Sequence, residues 1–240
     1  MRRGDESVMT VAYLCYDFND HPTAHLVEGL FRWHKRFMEI RGGKGGTRAA
    51  ALNYGKDDNS SYRASIAADA DAFVSVNALG HREAVEEARR WPHGGPSIAV
   101  DLQGHTLGTR MELVAMRVAP VQASYLIFPG TSGASFIDSL FVDKVVGPPE
   151  HSATYAEKMI YLPGCYQIND YERHHVDDGG DIDAIRESYG LPKRPAVVFC
   201  NFNKSDKLDP VSFAVWMSVL RRVPGSALWL LEPSKQHAFA

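Results

Sequence analysis

The chain has few cysteines and no long hydrophobic run. Of its 240 residues only Cys15, Cys165 and Cys200 are cysteines, and none belongs to a Cys-X-X-Cys pair. An odd, scattered set does not form a disulfide framework and fits a reducing compartment. No apolar run reaches the roughly 18 residues of a transmembrane helix. The apolar stretch at residues 8–16 lacks a small-residue cleavage site, so it predicts a buried strand rather than a signal peptide.

The sequence also lacks an excess of basic charge and the common nucleotide-binding fingerprints. Its 26 Lys and Arg stand against 29 Asp and Glu, a formal net charge of -3. This balance argues against a dedicated nucleic-acid binder, because neutralising phosphates needs a basic surface. No Gly-X-Gly-X-X-Gly follows the first predicted strand, so a dinucleotide-binding enzyme is not expected. The glycine-rich residues 41–47 precede a strand and lack phosphate-loop spacing, which favours a surface loop.

What the chain does contain is a regular alternation of short apolar runs and amphipathic stretches. The predicted strands are residues 11–16, 49–54, 72–76, 97–102, 122–128, 139–142, 196–200 and 227–231. The amphipathic stretches between them are residues 25–34, 82–91, 109–117 and 211–223. This alternation predicts an α/β protein whose mostly parallel sheet is covered on both faces. Ligands bind at the carboxyl ends of such strands, so the loops that follow them are where chemistry is expected.

A polar, broken stretch divides the chain into two predicted parts. Residues 170–195 are predicted as a connection between a first lobe at 1–169 and the start of a second at 196–240. The second part has only two predicted strands, too few for a stable parallel sheet. We therefore expect the second lobe to be incomplete, and residues 234–240 do not resemble a natural domain end.

The loop after the first predicted strand contains the first candidate for chemistry, His21. Pro22 favours the first helical turn and places His21 at or near the helix N-cap. The positive end of a helix dipole disfavours a protonated imidazole, and a neutral histidine can act as a general base. Plain helix capping explains the same residue. A zinc site with His25, one turn further on, is not expected, because Pro22 stands where the His-Glu-X-X-His motif has Glu.

Three further loops contain residues suited to a phosphorylated sugar. Gln103 and Thr106 follow a strand beside a glycine and suit a polyhydroxylated ligand, although a hydrogen-bonded turn would use the same residues. Gly130 and Thr131 open a loop whose N–H groups can face an anion, unless it is simply a tight turn. Lys204 and Lys207 precede a predicted helix start, a natural diphosphate site, whose alternative is a solvated lysine pair.

Taken together and in this order, the motifs resemble the catalytic region of protein O-GlcNAc transferases, glycosyltransferase family 41. The resemblance covers almost the whole chain. Its most specific pieces are HPTAHL from His21, RVAPVQ from Arg117, PGTSGA from Pro129, FCNFN from Phe199 with Lys207, and VPGSALWLL from Val223. The resemblance implies a GT-B fold: a Rossmann-like N-terminal catalytic lobe followed by a second Rossmann-like lobe, which this chain only begins.

The resemblance also implies an activity and its residues. It implies inverting, metal-independent transfer of N-acetylglucosamine from UDP-GlcNAc to Ser or Thr of proteins, without a cofactor. It implies a cytoplasmic or nuclear protein with neither nucleic-acid nor membrane partners. His21 matches the histidine proposed as general base, and Lys207 matches the lysine that holds the UDP diphosphate. Lys204 falls where animal members have a glutamine that contacts the nucleotide, while Gln103, Thr106, Gly130 and Thr131 are the further candidates for substrate contacts.

The chain departs from the family pattern in three respects. It has no tetratricopeptide repeats, it stops before the loops that bind uridine, and its residues 170–195 are much shorter than the insert of animal members. We therefore expect this chain alone to bind UDP weakly and to transfer little or no sugar. Two alternatives stay open: a Spindly-type O-fucosyltransferase that uses GDP-fucose, and a non-catalytic remnant lobe that binds protein partners.

Overall fold

The computed structural model of the chain describes residues 9–40, 47–91, 94–174 and 180–231. The predictions for Val8, for the glycine-rich residues 41–46 and for residues 234–240 lie outside these ranges. The chain divides into two compact units, Met1–His175 and Val176–Ala240. The division falls inside the stretch 170–195 that the sequence predicts as a connection.

The strands of the first unit form one parallel sheet. They are β1 (Met9–Cys15), β2 (Thr47–Asn53), β3 (Ala72–Ser75), β4 (Ile98–Asp101), β5 (Val121–Ser124), β6 (Ser139–Val142) and β7 (Lys158–Tyr161). Their order is β3-β2-β1-β4-β5-β6-β7, and every pairing is parallel. The order reverses between β1 and β4, which makes the carboxyl ends of these two strands the topological switch point. The predicted α/β class with a Rossmann-like first lobe is confirmed.

Helices cover both faces of this sheet. They are α1 (Pro22–Ile40), α2 (Ser61–Asp69), α3 (His81–Arg89) and α4 (Met111–Ala115). Successive residues of β1 enter two different clusters: Tyr13 packs with Phe31 of α1, and Leu14 packs with Val85 of α3. A strand that alternates between two cores is buried on both faces. The central strands thus form a rigid base for the loops at their carboxyl ends.

Some elements of the first unit were not predicted correctly. Strand β5 ends at Ser124 and not at Phe128, because the chain turns at Leu126, whose φ is +78°. Leu126 is nevertheless 3% exposed, so its apolarity reflects burial and not an extended backbone. Strand β7 and helix α2 were missed. The first is a half-exposed strand at the end of the sheet, and the second is a helix in which only Arg63 and Ile66 are buried.

The second unit is small. Strands β8 (Val198–Asn201) and β9 (Ala227–Leu230) pair in parallel, preceded by helix α5 (Ile182–Ser188) and joined by helix α6 (Pro210–Arg222). Helix α5 lies inside the polar stretch 170–195, where no helix was predicted, and Asp181 caps it by accepting the Asp183 N–H. The Trp229 ring packs against the rings of Tyr189 and Phe202 at 5.0 and 5.2 Å. No residue described in this unit is fully buried.

Candidate active site

The candidate site lies where the loops after β1, β4 and β5 leave the sheet. Leu14 pairs with Asp101, and Asp101 pairs with Ser124, so the three strands end side by side. His21 lies in the first loop, Gln103 and Thr106 in the second, and Gly130 and Thr131 in the third. The sheet therefore brings five of the seven predicted site residues to one edge, while Lys204 and Lys207 belong to the second unit.

His21 immediately precedes α1, as predicted. Its Nδ1 lies 3.3 Å from the Thr23 N–H, which gives the imidazole a capping contact, and 3.1 Å from Thr23 Oγ1. Nδ1 is also 3.6 Å from Oδ2 of Asp17, and the His21 side chain is 45% exposed. Within the described ranges Nε2 has no partner. A base that acts through Nε2 needs its proton on Nδ1, and the Asp17 carboxylate favours that tautomer electrostatically. An Nδ1 that accepts the Thr23 N–H leaves the proton on Nε2, so capping and general-base catalysis through Nε2 belong to two different tautomers of the ring.

Gln103 connects the loops after β1 and β4. Its side chain is buried, and its Nε2 lies within hydrogen-bond distance of Asp17 Oδ2, Thr106 Oγ1 and Leu107 O, at 2.9, 2.8 and 2.9 Å. Its Oε1 accepts the Tyr16 N–H at 3.1 Å. The amide thus orients Asp17, and through it His21. Direct contact of Gln103 and Thr106 with a substrate stays a prediction. Asp17 itself was missed as a site residue, although a carboxylate four residues before a histidine was a usable signal.

The turn after β4 is built around Asp101. Its carboxylate accepts the N–H groups of Gln103 and Gly104 at 3.2 and 2.9 Å. Burial raises the pKa of Asp101, and these two hydrogen bonds only partly oppose that rise. Gly104 has a φ of +54°, and a Cβ there would lie 2.4 Å from Cβ of Phe128. The hydrogen-bonded turn that the sequence left open is present and holds Gln103 in place.

The loop after β5 binds an internal carboxylate. Glu157 is buried; its Oε2 accepts from Thr131 Oγ1 and its Oε1 from the Ser132 N–H, both at 2.7 Å, and from Ser132 Oγ. Burial favours a raised pKa for Glu157, but these hydrogen bonds outweigh it and lower the pKa. The sequence left two interpretations open for the N–H groups of this loop, an anion site or a tight turn. The Ser132 N–H binds Glu157 and is not free for an anionic ligand. A substrate contact at Gly130 stays a prediction. A Cβ at this position would make only ordinary van der Waals contact with Phe128, so packing within the chain does not require a glycine there.

The two lysines of the second unit lie at a short 3-10 helix, Ser205–Lys207: Lys204 precedes it and Lys207 is its last residue. Both side chains are exposed, and neither ammonium group has a partner among the residues that the structure describes. Asp209 caps α6 by accepting the N–H groups of Val211 and Ser212 at 2.9 and 3.0 Å. The sequence had suggested that this helix start could bind a diphosphate. These two N–H groups are bonded to Asp209 instead and are not free for that ligand. Lys204 and Lys207 remain as candidate anion ligands.

Two other types of feature are absent from the described ranges. No helix there has the length and apolarity to cross a membrane. No cluster of three His, Cys, Asp or Glu side chains in those ranges has the geometry of a metal site. His25 contacts Asp20 through Nε2 at 2.8 Å, and its ring stacks on that of Tyr62 with centroids 4.0 Å apart.

Comparisons with known proteins identify relatives along nearly the whole chain. It is 35% identical over 231 residues to the Arabidopsis thaliana protein named "Probable UDP-N-acetylglucosamine--peptide N-acetylglucosaminyltransferase SEC", covering 96% of this chain and 22% of that protein. It is 24% identical to the Arabidopsis thaliana protein of the same description named SPINDLY, covering 93% of this chain and 23% of that protein. The chain thus spans less than a quarter of the length of either relative.

A solved structure and a family model agree with these relatives. A mutant O-GlcNAc transferase from Thermobaculum terrenum superposes with a TM-score of 0.73 at 23% identity, covering 94% of this chain and 39% of that one. This likeness confirms the predicted GT-B, Rossmann-like fold class. The family model described as "Glycosyl transferase family 41" matches residues 2–178 and 180–237. With that match over most of its length, the chain belongs to glycosyl transferase family 41.

Proposed function

We propose that this chain is part of the catalytic region of a protein O-GlcNAc transferase. The proposed reaction moves N-acetylglucosamine from UDP-GlcNAc to Ser or Thr hydroxyls of proteins. The observation that carries the proposal is a half-exposed imidazole, His21, at the switch point of a family 41 sheet, beside the carboxylate of Asp17. The names of the relatives support the same donor and a peptide acceptor.

In the proposed mechanism His21 acts as the general base. Its Nε2 takes the proton of the acceptor hydroxyl while the oxygen attacks C1 of the sugar. The bond between C1 and the diphosphate oxygen breaks, and attack from the opposite face inverts the configuration at C1. UDP leaves with the bonding electron pair, and the ammonium groups of Lys207 and Lys204 stabilise its charge electrostatically. The proposal includes neither a metal nor a cofactor.

The donor distinguishes this proposal from its nearest alternative. Identity to SEC is 35% and identity to SPINDLY is 24%, over similar shares of the chain, which supports assignment with the former. A Spindly-type enzyme that uses GDP-fucose is therefore the second candidate.

We place the reaction in the cytoplasm or nucleus, a reducing environment compatible with the free thiols of Cys15, Cys165 and Cys200.

The test uses the protein purified through an affinity tag placed on its chromosomal gene, with the 240-residue chain assayed in parallel. Release of UDP from UDP-GlcNAc and sugar transfer to an acceptor-peptide library are measured against GDP release from GDP-fucose. We expect UDP release and peptide modification that depend on His21. Preference for GDP-fucose would replace the proposal with the second candidate. Turnover of neither donor by the tagged protein would favour the non-catalytic lobe.

A further inference from the structure

A second imidazole lies at the same edge of the sheet. His105 follows Gln103 by two residues, in the loop after β4, and its side chain is exposed. Its Nε2 lies 2.9 Å from the backbone oxygen of Ser132, in the loop after β5. Its ring also packs edge-on against Phe128, with centroids 5.3 Å apart. Two contacts from a neighbouring loop therefore hold an exposed ring in one orientation.

The contact with Ser132 identifies which ring nitrogen of His105 carries the proton. A backbone oxygen only accepts hydrogen bonds, so Nε2 must donate and must be protonated. In the neutral ring Nδ1 then has a free lone pair, and in the part of the chain described it has no partner. His105 thus presents a fixed acceptor at the switch point. A neutral acceptor cannot bind a diphosphate, which offers only acceptors, but it can bind the hydroxyl groups of a sugar.

The loop that supports His105 is bound to a buried carboxylate. Ser132, whose oxygen anchors the imidazole, is itself bound through its N–H and its hydroxyl to the buried carboxylate of Glu157. Thr131 donates to the other oxygen of the same carboxylate at 2.7 Å. A charged acceptor with three donors fixes a short loop more firmly than neutral contacts do. The chain of contacts runs from Glu157 through Ser132 to the ring of His105.

We propose that His105 accepts a hydrogen bond through Nδ1 from a hydroxyl of the sugar of the donor, and that Glu157 is the positioning residue that holds His105 for this contact. The inference rests on the proposed transferase function and adds a specificity determinant to it. It predicts that His105 distinguishes the sugar-bearing donor from the bare nucleotide.

Three substitutions separate the two nitrogens of His105 in the gene-tagged protein. His105→Phe keeps a ring but removes both nitrogens, and we expect kcat/KM for UDP-GlcNAc to fall about fivefold to tenfold. His105→Asn places an acceptor near Nδ1 and should retain activity within about twofold of the unsubstituted protein. His105→Gln places a donor near Nε2 only and should resemble His105→Phe. Inhibition by UDP alone should stay unchanged in all three, and His151→Phe, an exposed histidine, is the control.

The positioning role of Glu157 is tested on the 15N-histidine-labelled chain by NMR of the ring nitrogens. We expect the unsubstituted chain to show His105 protonated at Nε2, and Glu157→Gln to convert it to a mixture of tautomers. Glu150→Gln, an exposed neighbour, should change nothing. Should Glu157→Gln fail to fold, Ser132→Ala removes one of the three donors to Glu157 and should shift the same signals.

The possible outcomes distinguish a failure of this inference from a failure of the proposed transferase function. No turnover of UDP-GlcNAc by the unsubstituted tagged protein would overturn both. Normal turnover that His105→Phe leaves unchanged would overturn the inference alone, as would an equal loss of UDP binding, or greater activity in His105→Gln than in His105→Asn. His105 ring signals that do not respond to Glu157→Gln would remove Glu157 from the proposal.

Discussion

The imidazole of His21 contacts the first turn of α1 through Nδ1 while 45% of its side chain remains exposed. In one tautomer the ring caps the helix start through Nδ1, and in the other, with the proton on Nδ1 beside Asp17, Nε2 is free to accept a proton. Its neighbour Asp17 is only 11% exposed and is held by Gln103. This arrangement resembles a base with an orienting carboxylate, and the two roles of the histidine can be separated by substitution.

His21→Asn is expected to retain the cap and to lose the base. Asparagine is a good N-cap, so the free energy of unfolding should stay within about 0.5 kcal/mol of the unsubstituted chain. Sugar transfer should fall by roughly 100-fold or more, the usual contribution of a general base. His21→Ala should lose transfer and also about 1 kcal/mol of stability. Urea unfolding measures the loss of the cap, and the transfer assay measures the loss of the base. A His21→Asn variant that keeps its transfer activity would exclude His21 as the base.

Glu157 gives a prediction of pH-dependent stability. Its pKa is lowered in the folded chain, so its carboxylate stabilises the fold above the unfolded pKa, and this contribution disappears as pH falls through the folded pKa. Glu157→Gln removes the negative charge and replaces one accepting oxygen by a donating NH2 group, and should cost about 1–3 kcal/mol at pH 7. The difference from the unsubstituted chain should shrink on acidification below about pH 4. Urea titrations at several pH values test this, and a difference independent of pH would contradict it.

At the scale of elements, the candidate site consists of three loops on one rigid edge. Gln103 joins the loop after β4 to the loop after β1, and His105 joins it to the loop after β5. The loop after β4 can make both contacts because its backbone turns sharply at Gly104, where the chain passes close to Phe128. A side chain at that position would collide with the residue that packs on His105.

Gly104→Ala is expected to destabilise the chain more than Gly133→Ala. Both glycines have positive φ, +54° and +66°, but only at Gly104 would the new Cβ meet another side chain, while at Gly133 nothing lies within 4 Å. The left-handed backbone alone costs about 1–2 kcal/mol for alanine. The collision with Phe128 should add roughly 1–3 kcal/mol. Equal losses of unfolding free energy in the two variants would show that the packing at Gly104 relaxes freely.

At the scale of the whole molecule, the two units differ in how deeply they bury apolar side chains. Among the residues that the structure describes, the buried hydrophobic ones all belong to the first unit, where they form clusters on both faces of the sheet. The second unit, as far as the structure describes it, has a two-stranded sheet and exposed apolar residues such as Val211 and Phe213. Its local stability should accordingly be lower.

Amide hydrogen exchange should reveal this difference. We expect the amides of β1, β2 and β4 to exchange at least roughly 100-fold more slowly than those of β8 and β9, because local opening follows burial. The measurement is exchange of the 240-residue chain followed by mass spectrometry, with exposed α6 as an internal reference. Equal protection in the two units would mean that the second is stabilised by interactions beyond its own side chains.

The sequence predicted those elements whose apolar pattern stands out. Strand β6 was predicted with its observed ends, and helices α1, α3, α4 and α6 were recognised with errors at their termini. Elements without a buried face, such as β7 and α5, were missed. Among site residues, the position of His21 before α1 followed from Pro22. Glu157 was not predicted, because its burial depends on a loop 25 residues away in sequence.

The sequence by itself determined the fold class, the parallel alternation, the helix start directly after His21 and the resemblance to family 41, because these depend on local patterns and on motifs in order. The tertiary structure decided which polar groups are already bonded. It assigned the Ser132 N–H to Glu157, the first-turn N–H groups of α6 to Asp209, and the amide of Gln103 to Asp17. A hydrogen bond needs two groups within about 3 Å, and only the folded chain brings together groups that are distant in sequence.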